Sequence, residues 1–339
     1  MKAISILAPG ELKIVDLPEP QLGPEDVLVD VRYIGLCGSD LGMYRGTFAI
    51  GIYPRIPGHE VSGTIIEKGE KVPDSIHMGD RVTLWPYSEC GICPACRIGR
   101  PNSCQFNETL GLQCDGAMTD HFAIHYSKVF SSPLLSLKEL ALVEPMSVGY
   151  HAANRGQVSE VDWVLVIGCG TIGMGAVAAS ARKGATVIVA DIDDKKLELA
   201  TRFGAQHTIN SAKQDVLAAV ARLTDGEGVR VAIEAVGLPE TFRLAVDAAC
   251  YTGRVVYVGY AKKEVCFDTT GFVRKELDIR GSRNALHVFP PVIKMLEKRQ
   301  QPFEDLISKI YPFAEVGAAL ADWDASPGSF TKILIDLKG

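Results

Sequence analysis

The chain contains no run of basic residues, no internal repeat and no low-complexity tract. Its net charge of −6 and pI near 5.7 exclude the basic surface that a nucleic-acid partner requires. Residues 1–10 hold too short an apolar stretch for a signal peptide and read as a first strand. Residues 163–181 lack charge over the length of a membrane span. Glycines break that run and its periodicity switches from strand to helix, so a soluble βαβ unit is expected and no membrane partner. Cysteine, by contrast, is not scarce. Nine cysteines would suggest disulfides in a secreted chain, but their clustering favours metal binding in a cytoplasmic protein. With 339 residues, 47% of them hydrophobic and 22% charged, two domains with separate cores are within reach.

The most informative stretch runs from Trp163 to Asp191. Residues 164–168 read as a strand buried on both faces, because apolar and β-branched residues recur without alternation. Gly168-Cys-Gly170-Thr-Ile-Gly173 follows, then an apolar helix to Lys183, then a second strand at 186–190 that ends on Asp191. Gly168 is expected to make the tight turn, Gly170 to let backbone amides approach a pyrophosphate, and Gly173 to let helix and strand pack closely. The helix N-terminus adds unpaired N–H groups and a partial positive charge. Asp191 stands about 20 residues past the glycines, where a carboxylate accepts from ribose hydroxyls and repels a 2′-phosphate, so NAD is read over NADP.

Around this stretch the texture changes twice. Residues 1–145 show short strands punctuated by Gly and Pro, such as 26–34, 61–67 and 80–84, which suggests a partly open β-barrel. From 146 to 284 strands and helices alternate, the signature of a doubly wound parallel sheet. Strands are expected at 163–167, 186–190, 207–209, 229–234, 254–259 and 277–280, with helices at 195–203, 214–223 and 240–249. Residues 285–339 end in a strand at 331–336 that is expected to return to the first domain. The fold class is therefore α/β, a β-barrel domain with an inserted dinucleotide domain.

Two groups of residues suggest metal. Cys90, Cys93, Cys96 and Cys104 form C-x2-C-x2-C-x7-C in a loop at about 86–107. Four thiolates at this spacing suit a structural Zn²⁺ with every position filled. A disulfide pair and an iron–sulfur cluster are the competing readings. Cys169, Cys250 and Cys266 read as small core residues, and Cys114 is assigned no role. The second group is dispersed: Cys37 and Asp40 in GLCGSD, His59 and Glu60 in PGHE, and Glu144 before Pro145. Cys, His and carboxylate together suit zinc with one position left for substrate. Taken singly, each residue also has an ordinary surface or turn reading.

GLCGSD, PGHE, the four-cysteine loop, LVEP, VIGCGTIG and Asp191, in this order, resemble the zinc-containing medium-chain alcohol and polyol dehydrogenases over essentially the whole chain. The resemblance implies a GroES-like catalytic domain built from both chain ends, an inserted NAD domain, and homodimers or homotetramers. It implies Cys37 and His59 as catalytic-zinc ligands, with Glu60 and Glu144 ligating or exchanging with water. Glu60 is the displaceable one in this reading. Ser39 becomes the proton relay, and Asp40 orients the loop or His59. Cofactor contacts are expected from Gly168, Gly170, Thr171, Ile172, Gly173, Asp191, Lys196, Val236, Val258, Gly259 and Ser282. Zinc would acidify the substrate hydroxyl and the nicotinamide would take the hydride. One departure is Gly42, where related enzymes carry a histidine; Tyr44 and Phe48 are candidates to fill that space.

Tyr44 with Phe48, Tyr53, Trp85, and the Arg283-Asn284 pair are candidates for the substrate pocket; each aromatic reads equally as packing. An arginine fork at 283 suits a carboxylate, and GSRN resembles dehydrogenases of sugar acids such as L-galactonate or L-gulonate, or of polyols. A sugar acid or polyol is therefore expected. L-threonine 3-dehydrogenase-like oxidation of an amino alcohol is the alternative, and a non-enzymatic NAD-binding protein of this fold the remote one.

Overall fold

The computed structural model describes residues 1–48 and 51–339. The chain divides into two compact units, one of residues 1–144 with 289–299 and 303–339, the other of residues 145–288 with 300–302. The division falls inside the helix Val143–Arg155.

In the second unit six strands form one parallel sheet. Across it the order is His207–Asn210, Thr186–Asp191, Trp163–Ile167, Val229–Glu234, Ala249–Tyr257, Asp278–Gly281. The chain builds outward from Trp163–Ile167 in one direction, then starts again on its other side at Val229–Glu234. Helices cover a sheet of this kind on both faces, which is why Val164, Leu165 and Val166 are all fully buried. The helices begin where side chains cap them. Asp193 accepts from the amides of Lys195 and Lys196 to start Asp194–Arg202. Asp215 accepts from Ala218 N to start Val216–Leu223, two residues later than expected, because Asp215 is the cap and not part of the helix. The expected strand 254–259 runs instead from Ala249 to Tyr257, since the amides of Val258 and Gly259 turn back to the Glu234 carbonyl.

The first unit is a barrel-like, partly open sheet. Its order is Ile307–Pro312, Lys332–Asp336, Asp26–Gly35, Glu60–Lys68, Arg81–Leu84, Val129–Ser131, with His121–His125 also paired to Asp26–Gly35. Strand Asp26–Gly35 alternates as a half-buried strand should, with Val27, Val29 and Val31 wholly inside. The C-terminal strand joins it antiparallel, Leu334 opposite Gly35 and Ile335 opposite Ile34. The architecture is a GroES-like domain joined to a Rossmann-like parallel-sheet domain.

Glycines set how closely two helices of the second unit approach. A Cβ on Gly149, in Val143–Arg155, would lie 2.1 Å from the carbonyl oxygen of Ile172, and one on Gly175 would lie 2.8 Å from that of Met146. Gly149→Ala should therefore cost about 1–3 kcal/mol through overpacking. An unaltered denaturation midpoint would show that this crossing can relax.

Candidate active site and metal centres

Every parallel strand of the second unit ends at the same edge of its sheet, and the residues expected to touch a dinucleotide follow those ends. After Ile167 comes the glycine loop. Gly168 has φ +100°, and a Cβ there would meet Val236 Cγ2 at 2.7 Å. A Cβ on Gly173 would lie 1.9 Å from the Gly168 carbonyl oxygen, so the helix Thr171–Arg182 can pack this tightly only with glycine. Gly170 differs: nothing lies within 4 Å of its absent Cβ. The open space at this helix N-terminus suits the approach of a diphosphate. Thr171 is buried and Ile172 half-buried beside it.

Asp191 braces the same loop. Its Oδ2 accepts from Cys169 N at 2.6 Å and its Oδ1 from Asp193 N at 3.0 Å. Lys196 sits half-buried in the helix that Asp193 caps. Val236 follows the Val229–Glu234 strand and is exposed; Val258 and Gly259 follow Tyr257, with Val258 buried. Ser282 follows Gly281; its amide donates to the Tyr257 carbonyl, and its buried Oγ has no partner. Arg283 and Asn284 come next, both half-buried, Asn284 with φ +52°. Of the remaining cysteines, Cys169 is buried as expected. Cys250 is only half-buried and Cys266 is exposed, because Cys266 lies in the loop between Tyr257 and the helix Thr270–Lys275 and outside any strand.

The four-cysteine loop stands on a short pairing of Tyr87–Ser88 with Glu108–Thr109. Its sulfurs gather closely: Cys93 to Cys96 at 3.5 Å, Cys90 to Cys104 at 3.6 Å, and Cys93 to Cys104 at 3.8 Å. Tetrahedral thiolates about 2.3 Å from a common zinc would stand about 3.8 Å apart, far beyond the roughly 2.05 Å of a disulfide. All four are free thiols, which removes the disulfide reading. Backbone amides of Cys90, Cys93 and Phe106 point at these sulfurs. Amide hydrogen bonds from Gln105 and Cys96 bring the Cys93 thiol down to about 6, whereas burial and the neighbouring thiols push Cys96 up to about 12. The donor set fits structural zinc.

In the first unit Cys37, His59 and Glu60 offer ligand atoms all within 4.8 Å of one another. Cys37 precedes the short helix Gly38–Tyr44, and His59 and Glu60 enter the strand Glu60–Lys68. Gly35, opposite Glu60 in the ladder, leaves room for its carboxylate: a Cβ there would lie 2.0 Å from Glu60 Oε2. Asp40 is buried and does two things. Its Oδ2 accepts from Cys37 N at 2.8 Å, and its Oδ1 stands 3.9 Å from His59 Nδ1. Neither of those last two atoms has a hydrogen-bond partner, nor does the buried Oγ of Ser39. Burial alone would lower the His59 pKa, but Asp40, Cys37 and Glu144 outweigh it and hold the imidazole well above its ordinary value. The same negative surroundings would favour a metal cation. With its soft, imidazole and carboxylate donors and its unsatisfied buried atoms, this group fits zinc.

Two residues outside the expected ligand groups complete the centre. Lys332 Nζ, fully buried, donates to Glu60 Oε1 at 2.7 Å, to Glu60 Oε2 at 2.5 Å and to the Leu36 carbonyl at 2.9 Å. Burial pushes Glu60 up to about 7 even though Lys332 pulls it down. A lone lysine in the apolar strand Lys332–Asp336 was the only available clue. Tyr87 donates its hydroxyl to Glu144 Oε1, and burial and that carboxylate together raise its own pKa well above the usual range.

The aromatic candidates divide. Tyr53 donates its hydroxyl to the Met43 carbonyl and packs with Phe48 in a small core of Ile6, Met43 and Leu112. Tyr44 is half-buried against the same cluster. Phe48 Cβ stands 3.7 Å from where a Cβ on Gly42 would be, so Phe48 occupies the space beside that glycine. Trp85 stacks edge-on against Tyr87 and Phe289.

Cys93→Ser should remove about one zinc per chain and lower the melting temperature, because a closed site contributes folding energy directly. Metal analysis and a thermal melt that both match the parent protein would rule out a structural site here.

Comparison with known proteins agrees with this fold. Residues 23–134 match the alcohol dehydrogenase GroES-like domain family, and residues 171–298 match the zinc-binding dehydrogenase family. The sorbitol dehydrogenase of Bacillus subtilis is 35% identical over 94% of this chain and 92% of its own length. The L-galactonate-5-dehydrogenase of Escherichia coli K12 is 30% identical over 93% of this chain and 92% of its own. Among solved structures, the alcohol dehydrogenase RspB of E. coli CFT073, complexed with NADH, superposes with a TM-score of 0.91 at 31% identity, covering 99% of both chains. With relatives at 30% identity or more over more than nine-tenths of both chains, and both domain families matched in order, the chain belongs to the zinc-type medium-chain alcohol dehydrogenases.

Proposed function

We propose that this oxidoreductase uses NAD and a catalytic zinc to oxidise a secondary hydroxyl of a polyol or sugar acid. The observation that carries the reading is the meeting of Cys37, His59 and Glu60 within 4.8 Å around buried, unsatisfied polar atoms. Zinc held by Cys37 and His59, with a carboxylate from Glu60 or Glu144, would supply a Lewis acid that makes a substrate hydroxyl acidic near neutral pH.

The chain's own residues then have distinct tasks. Asp40 holds Cys37 through its amide and stands behind His59, orienting the imidazole. Ser39 Oγ, buried and unpartnered, is assigned as the relay, accepting the substrate hydroxyl proton as it passes its own outward. Lys332 grips both oxygens of Glu60 and competes with a metal for them, which makes Glu60 the exchangeable carboxylate. Glu144, whose Oε1 accepts from the Tyr87 hydroxyl, is not in the group that Cys37, His59 and Glu60 form and is the alternative carboxylate. On the nucleotide side, Asp191 favours NAD because a 2′-phosphate beside its carboxylate would meet like charge. Thr171, Ile172, Lys196, Val236, Val258, Gly259 and Ser282 are assigned to the cofactor with the glycine loop, and Tyr44, Arg283 and Asn284 to the substrate. The names of the relatives, sorbitol and L-galactonate dehydrogenases, support the polyol and sugar-acid classes alike.

Cys37→Ala should abolish turnover while NADH still binds, read by fluorescence titration; near-normal turnover would remove the catalytic zinc from the reading. A second experiment crosses NAD and NADP with two substrate panels, aldonates such as L-gulonate and L-galactonate, and polyols such as sorbitol and xylitol. Preference for NAD and for aldonates, with the aldonate preference lost in Arg283→Ala, is the expected result. Preference for NADP would overturn the role of Asp191, and preference for polyols would remove Arg283 as a carboxylate clamp.

A further inference from the structure

Glu234 ends the strand Val229–Glu234 and is fully buried. Its Oε1 accepts three hydrogen bonds, from Val236 N at 2.8 Å, Gly237 N at 2.7 Å and Thr241 Oγ1 at 2.7 Å. Its main-chain oxygen accepts from Val258 N at 2.9 Å and Gly259 N at 3.3 Å. One residue thus holds the loops that follow two neighbouring strands. The loops touch each other as well. A Cβ on Gly259 would lie 2.4 Å from Gly237 N and 2.6 Å from Glu234 Oε2. The glycine loop abuts the same place, since Gly168 packs against Val236 and Ala235.

The other oxygen, Oε2, has no hydrogen-bond partner. A buried carboxylate left half unsatisfied costs stability. Such a group calls for a reason beyond the turn. The topology supplies one. The sheet order reverses between Trp163–Ile167 and Val229–Glu234, and a dinucleotide lies across such a reversal at the C-terminal strand ends. Asp191 lies on one side of the reversal, where the adenosine ribose is bound. The nicotinamide half then falls on the other side, over the loops that Glu234 ties together.

We propose that Glu234 is a positioning residue for the nicotinamide half of the cofactor, setting the spacing between the Val236–Gly237 and Val258–Gly259 loops. This rests on the dinucleotide reading above. It makes no contact with the adenosine half a requirement, so the two halves of the cofactor should respond differently when it is lost.

The test is calorimetric titration of the full-length protein with NADH and, separately, with 5′-AMP, alongside a thermal melt without ligand. Glu234→Ala leaves two amides and a hydroxyl without their acceptor, and should weaken NADH at least about tenfold while AMP changes by less than about twofold. Glu234→Gln keeps the Oε1 acceptor and should recover NADH binding to within about threefold of the parent. Thr241→Val removes one of the three donors and should produce a smaller loss, again confined to NADH; it decides the matter if the alanine variant does not fold. Equal losses for NADH and AMP would reduce Glu234 to a structural residue, and unchanged NADH binding in Glu234→Ala, or in Thr241→Val where it alone folds, would overturn the proposal. A parent protein that binds neither ligand would instead overturn the dinucleotide reading, and the role of Glu234 with it.

Discussion

A carboxylate taken out of water must find a partner or lose its charge, and that constraint shapes both units. In the barrel unit Glu60 is answered by Lys332, whose ammonium also holds the Leu36 carbonyl just before Cys37. The lysine lies on Lys332–Asp336, which pairs antiparallel with Asp26–Gly35 and so brings a balancing charge to the carboxylate beside Cys37 and His59. Removing one partner of such a pair costs about 3–5 kcal/mol. The pairing of Lys332–Asp336 with Asp26–Gly35 is therefore bound to the chemistry of the centre as well as to the hydrophobic core.

The second unit meets the same constraint at its strand ends. Its sheet is apolar on both faces, which leaves the loops beyond the strands as the places where polar groups can gather. Asp191 and Glu234 stand there on opposite sides of the reversal in strand order, Asp191 accepting from the amides of Cys169 and Asp193, and Glu234 from those of Val236 and Gly237. At the other end of the sheet Asp162, almost wholly buried, is answered by Arg254 at 2.7 Å and by Ser159. Glycines complete the arrangement. Gly173 and Gly259 are required by the protein's own packing, whereas Gly170 has open space where a side chain would sit, as a ligand cradle should.

Much of this was legible in the residues. The period of the apolar pattern distinguished barrel from parallel sheet, and five of the six strands of that sheet lie within one residue of where the pattern puts them. The spacing of Cys90, Cys93, Cys96 and Cys104 is a local property, so one loop can bring four sulfurs together and the sequence displays it. Helix starts were displaced where an aspartate served as a cap, because capping is decided by backbone geometry and not by hydrophobic period. Cys266 is exposed, against the expectation from its neighbours, for a related reason: apolar neighbours do not reveal that a strand has already ended at Tyr257.

What the sequence determined alone was whatever depends on near neighbours: strand and helix type, the glycine turn, the cysteine loop, and the residue types able to ligate metal. Tertiary structure decided the rest. Cys37 and His59 are far apart along the chain, and only the antiparallel register that sets Gly35 against Glu60 brings their segments together. Lys332 and Tyr87 became part of the centre for the same reason. Each faces a carboxylate far from it in sequence, and a pairing of that kind is written in strand order and burial, not in any local pattern of residues.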